Sequence, residues 1–130
     1  MADAAADQSE IEGILQLYID GTRDGDVTKL REAFHDDARM FGSLGGQRAD
    51  VPIAELFKMS DGHPADVDGS YEARILAIEQ VGDAAVATLE EDGFWGSLSF
   101  TDFFSLVRTG DSWKIANKTF AHTGGEPPPM

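Results

Sequence analysis

The segment from Phe100 to His122, FTDFFSLVRTGDSWKIANKTFAH, constrains the fold of this chain more than any other. Gly110-Asp111 separates two runs rich in aromatic and β-branched residues, which is typical of a β-hairpin with a short loop. A two-residue loop fixes the register of the two strands, and alternation along each strand then divides the side chains between two faces. The segment therefore predicts two paired strands with one largely apolar face.

The predicted register places one carboxylate and one amide on that apolar face. Asp102 lies opposite Thr119, and Phe104 lies opposite Asn117, so Asp102 and Asn117 share the face with large apolar side chains: Phe100, Phe104, Leu106, Trp113 and Ile115. A buried carboxylate needs a partner, water or a ligand. We therefore expect Asp102 at a functional site, with Asn117 donating to a ligand carbonyl. The structural alternative is that Asp102 binds a backbone amide, a base or Asn117 itself.

The charge balance excludes some classes of partner. The chain of 130 residues has 24 acidic and 10 basic residues, a formal net charge of −14, and no cysteine. Such a surface repels nucleic acid and anionic membranes, and we interpret it as serving solubility or adaptation to a salty setting. The absence of cysteine excludes a thiol nucleophile and fits a reducing cytoplasm. No run is long and apolar enough for a membrane span, and the N-terminal residues do not form a signal peptide.

Three helices are predicted in the first half of the chain. Ser9 with Glu12 forms a capping box that opens the first helix, and Asp26 caps the second. Pro52 fits the first turn of a third helix. Residues 1–8 precede these signals and are interpreted as a flexible leader.

Strands dominate the second half of the chain. They are predicted over 70–81 and 84–95, joined at Gly82-Asp83, ahead of the closing hairpin. Residues 9–123 then form one domain, and residues 124–130 a disordered tail. Helices first and antiparallel strands afterwards predict an α+β fold, in which helices pack on a strongly curved sheet and leave an internal pocket.

This order of elements resembles the nuclear-transport-factor-2-like superfamily, with its cone-shaped, cystatin-like α+β fold. The resemblance covers roughly residues 9–123 and is carried by Asp37–Gly42, Val51–Ile53, Thr101–Leu106 and Gly110–Phe120. Within the superfamily the chain looks most like the small bacterial group labelled putative lumazine-binding and like polyketide-cyclase-like proteins. The resemblance implies a mixed or antiparallel sheet closing into a cone around a pocket.

The superfamily contains isomerases, dehydratases, hydrolases, cyclases and non-catalytic binding proteins, so the fold alone does not select a function. The resemblance implies a carboxylate in the cone, and Asp102 is the residue that matches it. We expect a small-molecule pocket with lyase, isomerase or cyclase activity on a small, largely apolar or aromatic ligand, with Asp102 as the base. The alternative is a non-catalytic binding or interaction module. An apolar lining is expected from Tyr18, Phe34, Met40, Phe57, Trp95, Phe100 and Phe104.

Other charged and polar groups are assigned structural roles. Alternation places His122 on the opposite face from Asn117 unless a bulge intervenes, so neither His122 nor His35 is expected to be catalytic. Glu91 is expected to pair with Arg74 across the Gly82-Asp83 hairpin. Neither a metal site nor a cofactor-binding motif is recognised in the sequence.

The second face of the closing hairpin is expected to form a subunit interface. Its predicted members are Thr101, Phe103, Ser105 and Val107, opposite Lys114, Ala116, Lys118 and Phe120. This face is too apolar for full exposure to water, and the superfamily commonly dimerises through its sheet. A homodimer is therefore expected.

Overall fold

The computed structural model describes residues 4–126, which form three helices and one six-stranded mixed sheet. In chain order the elements are α1 (Ala4–Asp24), α2 (Val27–Ala33), β1 (Phe34–Leu44), β2 (Gln47–Pro52), α3 (Ala54–Ser60), β3 (Glu72–Val81), β4 (Ala84–Phe94), β5 (Leu98–Thr109) and β6 (Ser112–Gly124). The strand order is β2-β1-β6-β5-β4-β3, with β1 and β6 parallel and the other neighbours antiparallel. The predicted α+β class, with three helices on a mixed sheet, is confirmed.

Helix α1 begins at Ala4, so residues 4–8 are helical and the prediction of a flexible leader is wrong for them. Residues 1–3 lie outside the described residues. Alanine is the best helix former, and the side chain of Asp7 adds a tertiary anchor. Its carboxylate accepts hydrogen bonds from Arg108 Nη1 and Gln80 Nε2, each at 2.8 Å. The capping box at Ser9 therefore lies inside the helix.

The first two helices pack against each other, and α1 contributes an apolar stripe to the core. Ile11, Leu15 and Tyr18 of α1 are fully buried. Gly25 ends α1 at a positive φ of 67°, a conformation that favours glycine. Asp26 then caps α2 as predicted, because its Oδ1 accepts hydrogen bonds from the second and third backbone amides of that helix.

Strand β2 was not predicted. Gly45 and Gly46 both have positive φ and form a tight turn that joins β1 to β2. Pro52 is the last residue of β2, paired with Arg39, and α3 begins at Ala54. The prediction that Pro52 lies in the first turn of the third helix is therefore wrong.

Both predicted hairpin turns are present, but a bulge changes the register beyond each one. In the closing hairpin Ala116 is an extra residue between the pairs Ser105–Asn117 and Leu106–Ile115. Phe104 is therefore opposite Lys118 instead of Asn117, and Asp102 is opposite Phe120 instead of Thr119. A bulge moves every later side chain of its strand to the other face. In the same way, Leu76 is the extra residue between β3 and β4.

The end of the chain is ordered further than predicted. Gly124 is still part of β6, and Ser97 Oγ donates a hydrogen bond of 3.2 Å to the carbonyl of Glu126. Residues 127–130 of the predicted tail lie outside the described residues. Among residues 4–126, no helix has the length and apolar character needed to span a membrane.

Candidate functional site

Asp102 lies on β5 among buried side chains and has no exposed surface. Its neighbours along the strand with the same orientation, Phe100 and Phe104, are also buried. The alternation of apolar residues in β5 orients the carboxylate toward the core between the sheet and α1.

A second carboxylate, that of Glu91, is buried beside Asp102 and also has no exposed surface. On β4 it is opposite Phe100, so it is the diagonal neighbour of Asp102 on the same face of the sheet. The prediction that Glu91 pairs with Arg74 is wrong, because the bulge at Leu76 places Arg74 opposite Glu90. The Arg74 guanidinium instead binds Glu90 at 2.7 Å. The burial of Glu91 could have been predicted from alternation along the strand, which places Glu91 on the same face as Leu89.

Two tyrosines bind the carboxyl groups of Asp102 and Glu91, which together form the carboxyl pair. Tyr71 Oη donates to Glu91 Oε1 at 2.6 Å, and Tyr18 Oη lies 3.2 Å from Glu91 Oε2 and 3.4 Å from Asp102 Oδ2. Because a hydroxyl has one proton, Tyr18 cannot donate fully to both carboxyl groups at once. Burial, together with the charge of Asp102, raises the pKa of Tyr18. Burial, together with the charge of Glu91, raises the pKa of Tyr71. Both tyrosines therefore remain donors at neutral pH.

The carboxyl pair lacks donors for a doubly ionised state. Among the described residues, Asp102 Oδ1 has no hydrogen-bond partner. Burial raises the pKa of Asp102 well above its usual range, and the adjacent negative charge of Glu91 raises it further. The charge of Lys118 and the hydrogen bond from Tyr18 act in the opposite direction but do not reverse the shift. A proton on Asp102, hydrogen-bonded to Glu91, relieves both the repulsion and the missing donor.

An apolar cavity of about 50 Å³ lies next to this pair, at the end of the sheet nearest α3. Its lining residues are Met40, Leu44, Leu56, Met59, Phe94, Trp95, Leu98, Phe100, Lys118 and Phe120. Phe100, on β5 with Asp102, and Lys118, on the neighbouring strand β6, line the cavity, whereas Asp102 and Glu91 do not. Trp95 at its rim has a positive φ of 53°, which is rare for a bulky residue.

The predicted lining residues divide into two groups. Met40, Trp95 and Phe100 border the cavity. The other aromatic residues are packed in the core: Tyr18, Phe34, Phe57 and Phe104. Tyr18 contacts Phe104 edge-on at 5.0 Å between centroids, and Phe34 contacts Phe57 in the same way at 5.9 Å.

The bulge at Ala116 exchanges the two faces of β6 beyond it. Asn117 is opposite Ser105, on the other face of the sheet from Asp102, so the expectation that it shares the site is wrong. His122 is on the opposite face from Asn117, as predicted, but the bulge makes this the inner face. It is opposite Phe100, with ring centroids 5.7 Å apart, and its Nε2 lies 2.7 Å from the carbonyl oxygen of Gly125. Lys118 is also on the inner face, and only 5% of its surface is exposed.

Comparison with known proteins identifies the family. A family model described as "Putative lumazine-binding" matches residues 6–121, nearly the whole chain. The chain belongs to this family. The predicted resemblance to the nuclear-transport-factor-2-like superfamily is thereby confirmed.

Individual relatives agree with this assignment. The chain is 24% identical over 103 residues to the aldolase FrzH of Cladobotryum sp., covering 79% of this chain and 81% of that protein. An NTF2-like protein of unknown function from Shewanella baltica is 29% identical, with a TM-score of 0.85 over 95% of this chain and 98% of that one. A ketosteroid isomerase-like protein from Erwinia carotovora has the same fold, with 18% identity, a TM-score of 0.68, and coverage of 88% and 94%.

Proposed function

We propose that this protein binds a small, largely apolar or aromatic carbonyl compound and transfers a proton on it, as a lyase, isomerase or cyclase does. The observation that carries the proposal is the buried pair of Asp102 and Glu91, in which one oxygen of Asp102 has no hydrogen-bond partner in the part of the chain that the structure describes. Two carboxyl groups that hold one proton can both give and accept a proton near neutral pH. Membership of the family supports binding of a small molecule, and the likeness to an aldolase supports a reaction next to a carbonyl group.

In the proposed reaction the carboxyl pair removes a proton from the carbon next to the ligand's carbonyl group. The incoming proton binds Asp102 Oδ1, which accepts no hydrogen bond from the described residues, while the proton already shared by the pair moves to Glu91. Asp102 is therefore the base of the singly protonated pair. Tyr18 and Tyr71 orient the pair and remain protonated. In an isomerase the carboxyl pair then returns the proton to a different carbon of the ligand. In an aldol-type cyclisation the carbanion instead attacks a second carbonyl group.

The ligand enters through the apolar cavity, which we propose is a narrow form of the internal pocket of the predicted cone. A volume of about 50 Å³ is below the roughly 300 Å³ of typical ligand pockets, so binding requires the walls to move. Met40 and Met59 have flexible thioether chains, and Trp95 sits on strained backbone at the rim. Displacement of Phe100 would then connect the cavity to Asp102.

The proposal is tested by deuterium exchange in small aromatic ketones. Wild-type protein in D₂O is expected to accelerate loss of the α-proton signal in NMR spectra of a panel of such ketones. Asp102→Asn should lower the exchange rate by about 10²–10⁴-fold while leaving ketone affinity nearly unchanged. Asp36→Asn, at an exposed acid on β1, is the matched control. Full exchange activity in folded Asp102→Asn would refute Asp102 as the base.

One observation favours the alternative of a non-catalytic binding module. Neither Asp102 nor Glu91 borders the cavity, and both are hydrogen-bonded to tyrosines in the core. A module of this kind would bind ketones without accelerating exchange, and Asp102→Asn would affect stability alone. The same experiment therefore separates the two functions.

We also propose that two copies associate through the outer face of the sheet. Phe103, Val86 and Leu76 are each about half exposed on neighbouring strands, and Val107 is 38% exposed. Lys118 and Phe120, predicted on this face, point inward because of the bulge. The outer face therefore loses one lysine and one phenylalanine but keeps these exposed apolar side chains, which favour a homodimer.

A further inference from the structure

Lys118 is a buried lysine that forms no ion pair with any of residues 4–126. The bulge at Ala116 directs its side chain inward from β6, where 5% of the residue is exposed. Its Nζ lies 5.2 Å from the ring centroid of Tyr18 and 5.6 Å from that of Phe120. The ammonium group is thus held between two aromatic rings.

These rings replace only part of the solvation that the ammonium group has lost. Among residues 4–126, Lys118 Nζ has no hydrogen-bond acceptor, and no carboxylate oxygen lies within 4.0 Å of it. Contacts with aromatic rings stabilise a cation less than hydrogen bonds from water or a carboxylate do. The three N–H donors of Lys118 therefore favour binding of a ligand that carries a hydrogen-bond acceptor.

Lys118 is also the one charged residue among the described residues that line the apolar cavity. Its nine companions in the lining are methionine, leucine, phenylalanine or tryptophan. A ligand in this cavity would meet apolar walls and a single cation. Such a site recognises an apolar molecule with one oxygen that is anionic or becomes anionic.

We propose that Lys118 binds the carbonyl oxygen of the ligand and stabilises the negative charge that forms on that oxygen during proton transfer. This inference rests on the proposed function and adds its electrophilic group. In the step, the C–H bond next to the carbonyl breaks and its proton moves to the Asp102–Glu91 pair. The electron pair moves through the new C=C bond to the oxygen, giving an enolate hydrogen-bonded to Lys118 Nζ.

The charges at the site support this assignment. Asp102 and Lys118 are close enough for the ammonium charge to oppose the rise in the pKa of Asp102. During the step the carboxyl pair gains a proton and the ligand oxygen gains a negative charge. The total charge facing Lys118 therefore does not change, and only its position moves toward the ammonium group. Preorganised stabilisation of this kind is strongest where water is excluded.

The test uses 4-nitrophenol, whose phenolate oxygen mimics an enolate and whose absorbance reports ionisation. Wild-type protein is expected to bind the phenolate about tenfold to hundredfold more tightly than the neutral phenol. Lys118→Met, which keeps the apolar length of the side chain, should lose this preference. Lys118→Arg keeps the charge and should retain most of it.

Lys114→Met is the matched control, because Lys114 is on the same strand and donates to the Glu32 carbonyl away from the cavity. It should behave as wild type. Thermal melts establish that each variant is folded. If wild type shows no preference for the phenolate, or if folded Lys118→Met keeps it, the proposal is wrong.

Two further measurements distinguish the role of Lys118 from the role of Asp102 as the base and from formation of a covalent imine. Nitrophenol has no C–H bond next to a carbonyl group for the carboxyl pair to break. Asp102→Asn should therefore retain the phenolate preference whether or not Asp102 is the base. Borohydride treatment in the presence of an aromatic ketone should leave Lys118 unmodified. A reduced adduct on Lys118 would instead indicate a covalent imine and overturn the non-covalent role.

Discussion

At the scale of single residues, the burial of Asp102 could be predicted from the sequence, whereas that of Glu91 was missed. Alternation along β5 was sufficient for Asp102, because its strand neighbours are large and apolar. Glu91 lies in the sequence Glu90-Glu91-Asp92, which suggested a surface ion pair with Arg74. The extra residue Leu76 removed that pairing. Single-sequence patterns carry little information about such bulges.

The hydroxyl of Tyr71 should contribute to stability through Glu91. The bond of 2.6 Å is the shorter of the two tyrosine bonds to this buried carboxylate. Tyr71→Phe should lower the free energy of unfolding by about 1.5–3 kcal/mol, measured by urea denaturation. In a Glu91→Gln background, Tyr71→Phe should lower the free energy of unfolding by a clearly smaller amount, because the hydroxyl no longer donates to a charged carboxylate. Equal costs in the two backgrounds would mean that the hydroxyl does not act through the carboxylate.

Asp102 should also make stability depend on pH. Its pKa is raised in the folded state, so above the ordinary value of about 3.9 the folded protein holds a proton that the unfolded chain releases. The resulting contribution to the free energy of unfolding is fully present below about pH 3.9 and is lost as the pH rises toward the pKa of folded Asp102. The free energy of unfolding then falls by at most about 1.4 kcal/mol per pH unit.

The measurement is urea unfolding of wild type and Asp102→Asn between acidic and neutral pH. The variant should gain stability relative to wild type as the pH rises, whereas Asp36→Asn should follow wild type. A difference between Asp102→Asn and wild type that is constant with pH would contradict the raised pKa.

At the scale of elements, the glycine turns and the cap of α2 could be predicted from the sequence, whereas the starts of α1 and α3, the bulges and one edge strand could not. Glycine-containing turns and the Asp26 cap depend on local chemistry that one residue type reveals. The bulge at Ala116 has no such local marker, although it decides that Lys118 rather than Asn117 faces inward. Strand β2 is half exposed and contains polar residues, so its alternation was weak.

Two glycines should respond oppositely to alanine. In α1 a Cβ at Gly13 would meet nothing within 4 Å, so Gly13→Ala should stabilise the protein by about 0.5–1 kcal/mol. In β1 a Cβ at Gly42 would lie 2.6 Å from the ring and the carbonyl oxygen of Phe120. Gly42→Ala should therefore destabilise by about 1–3 kcal/mol by forcing β1 and β6 apart. Urea denaturation of both variants is the check, and equal effects would contradict the packing of β1 on β6.

At the scale of the whole molecule, the exposed apolar side chains of the outer sheet face lead to a prediction about assembly. Phe103 is half exposed at the centre of β5. Light scattering should show a dimer for wild type and a monomer for Phe103→Glu. Val67→Glu, at an exposed valine in the loop before β3, should remain dimeric. A monomeric wild type at high concentration would contradict the proposed interface.

If Asp102 shares a buried proton with Glu91, a carboxyl ¹³C titration of the intact protein should detect that proton. We expect the Asp102 Cγ resonance to stay at the protonated position at pH values where exposed aspartates have already ionised. Glu91→Gln should lower the titration midpoint of Asp102, because the adjacent negative charge is removed. An Asp102 midpoint in the ordinary aspartate range, unchanged in Glu91→Gln, would show that the two carboxyl groups do not share a proton.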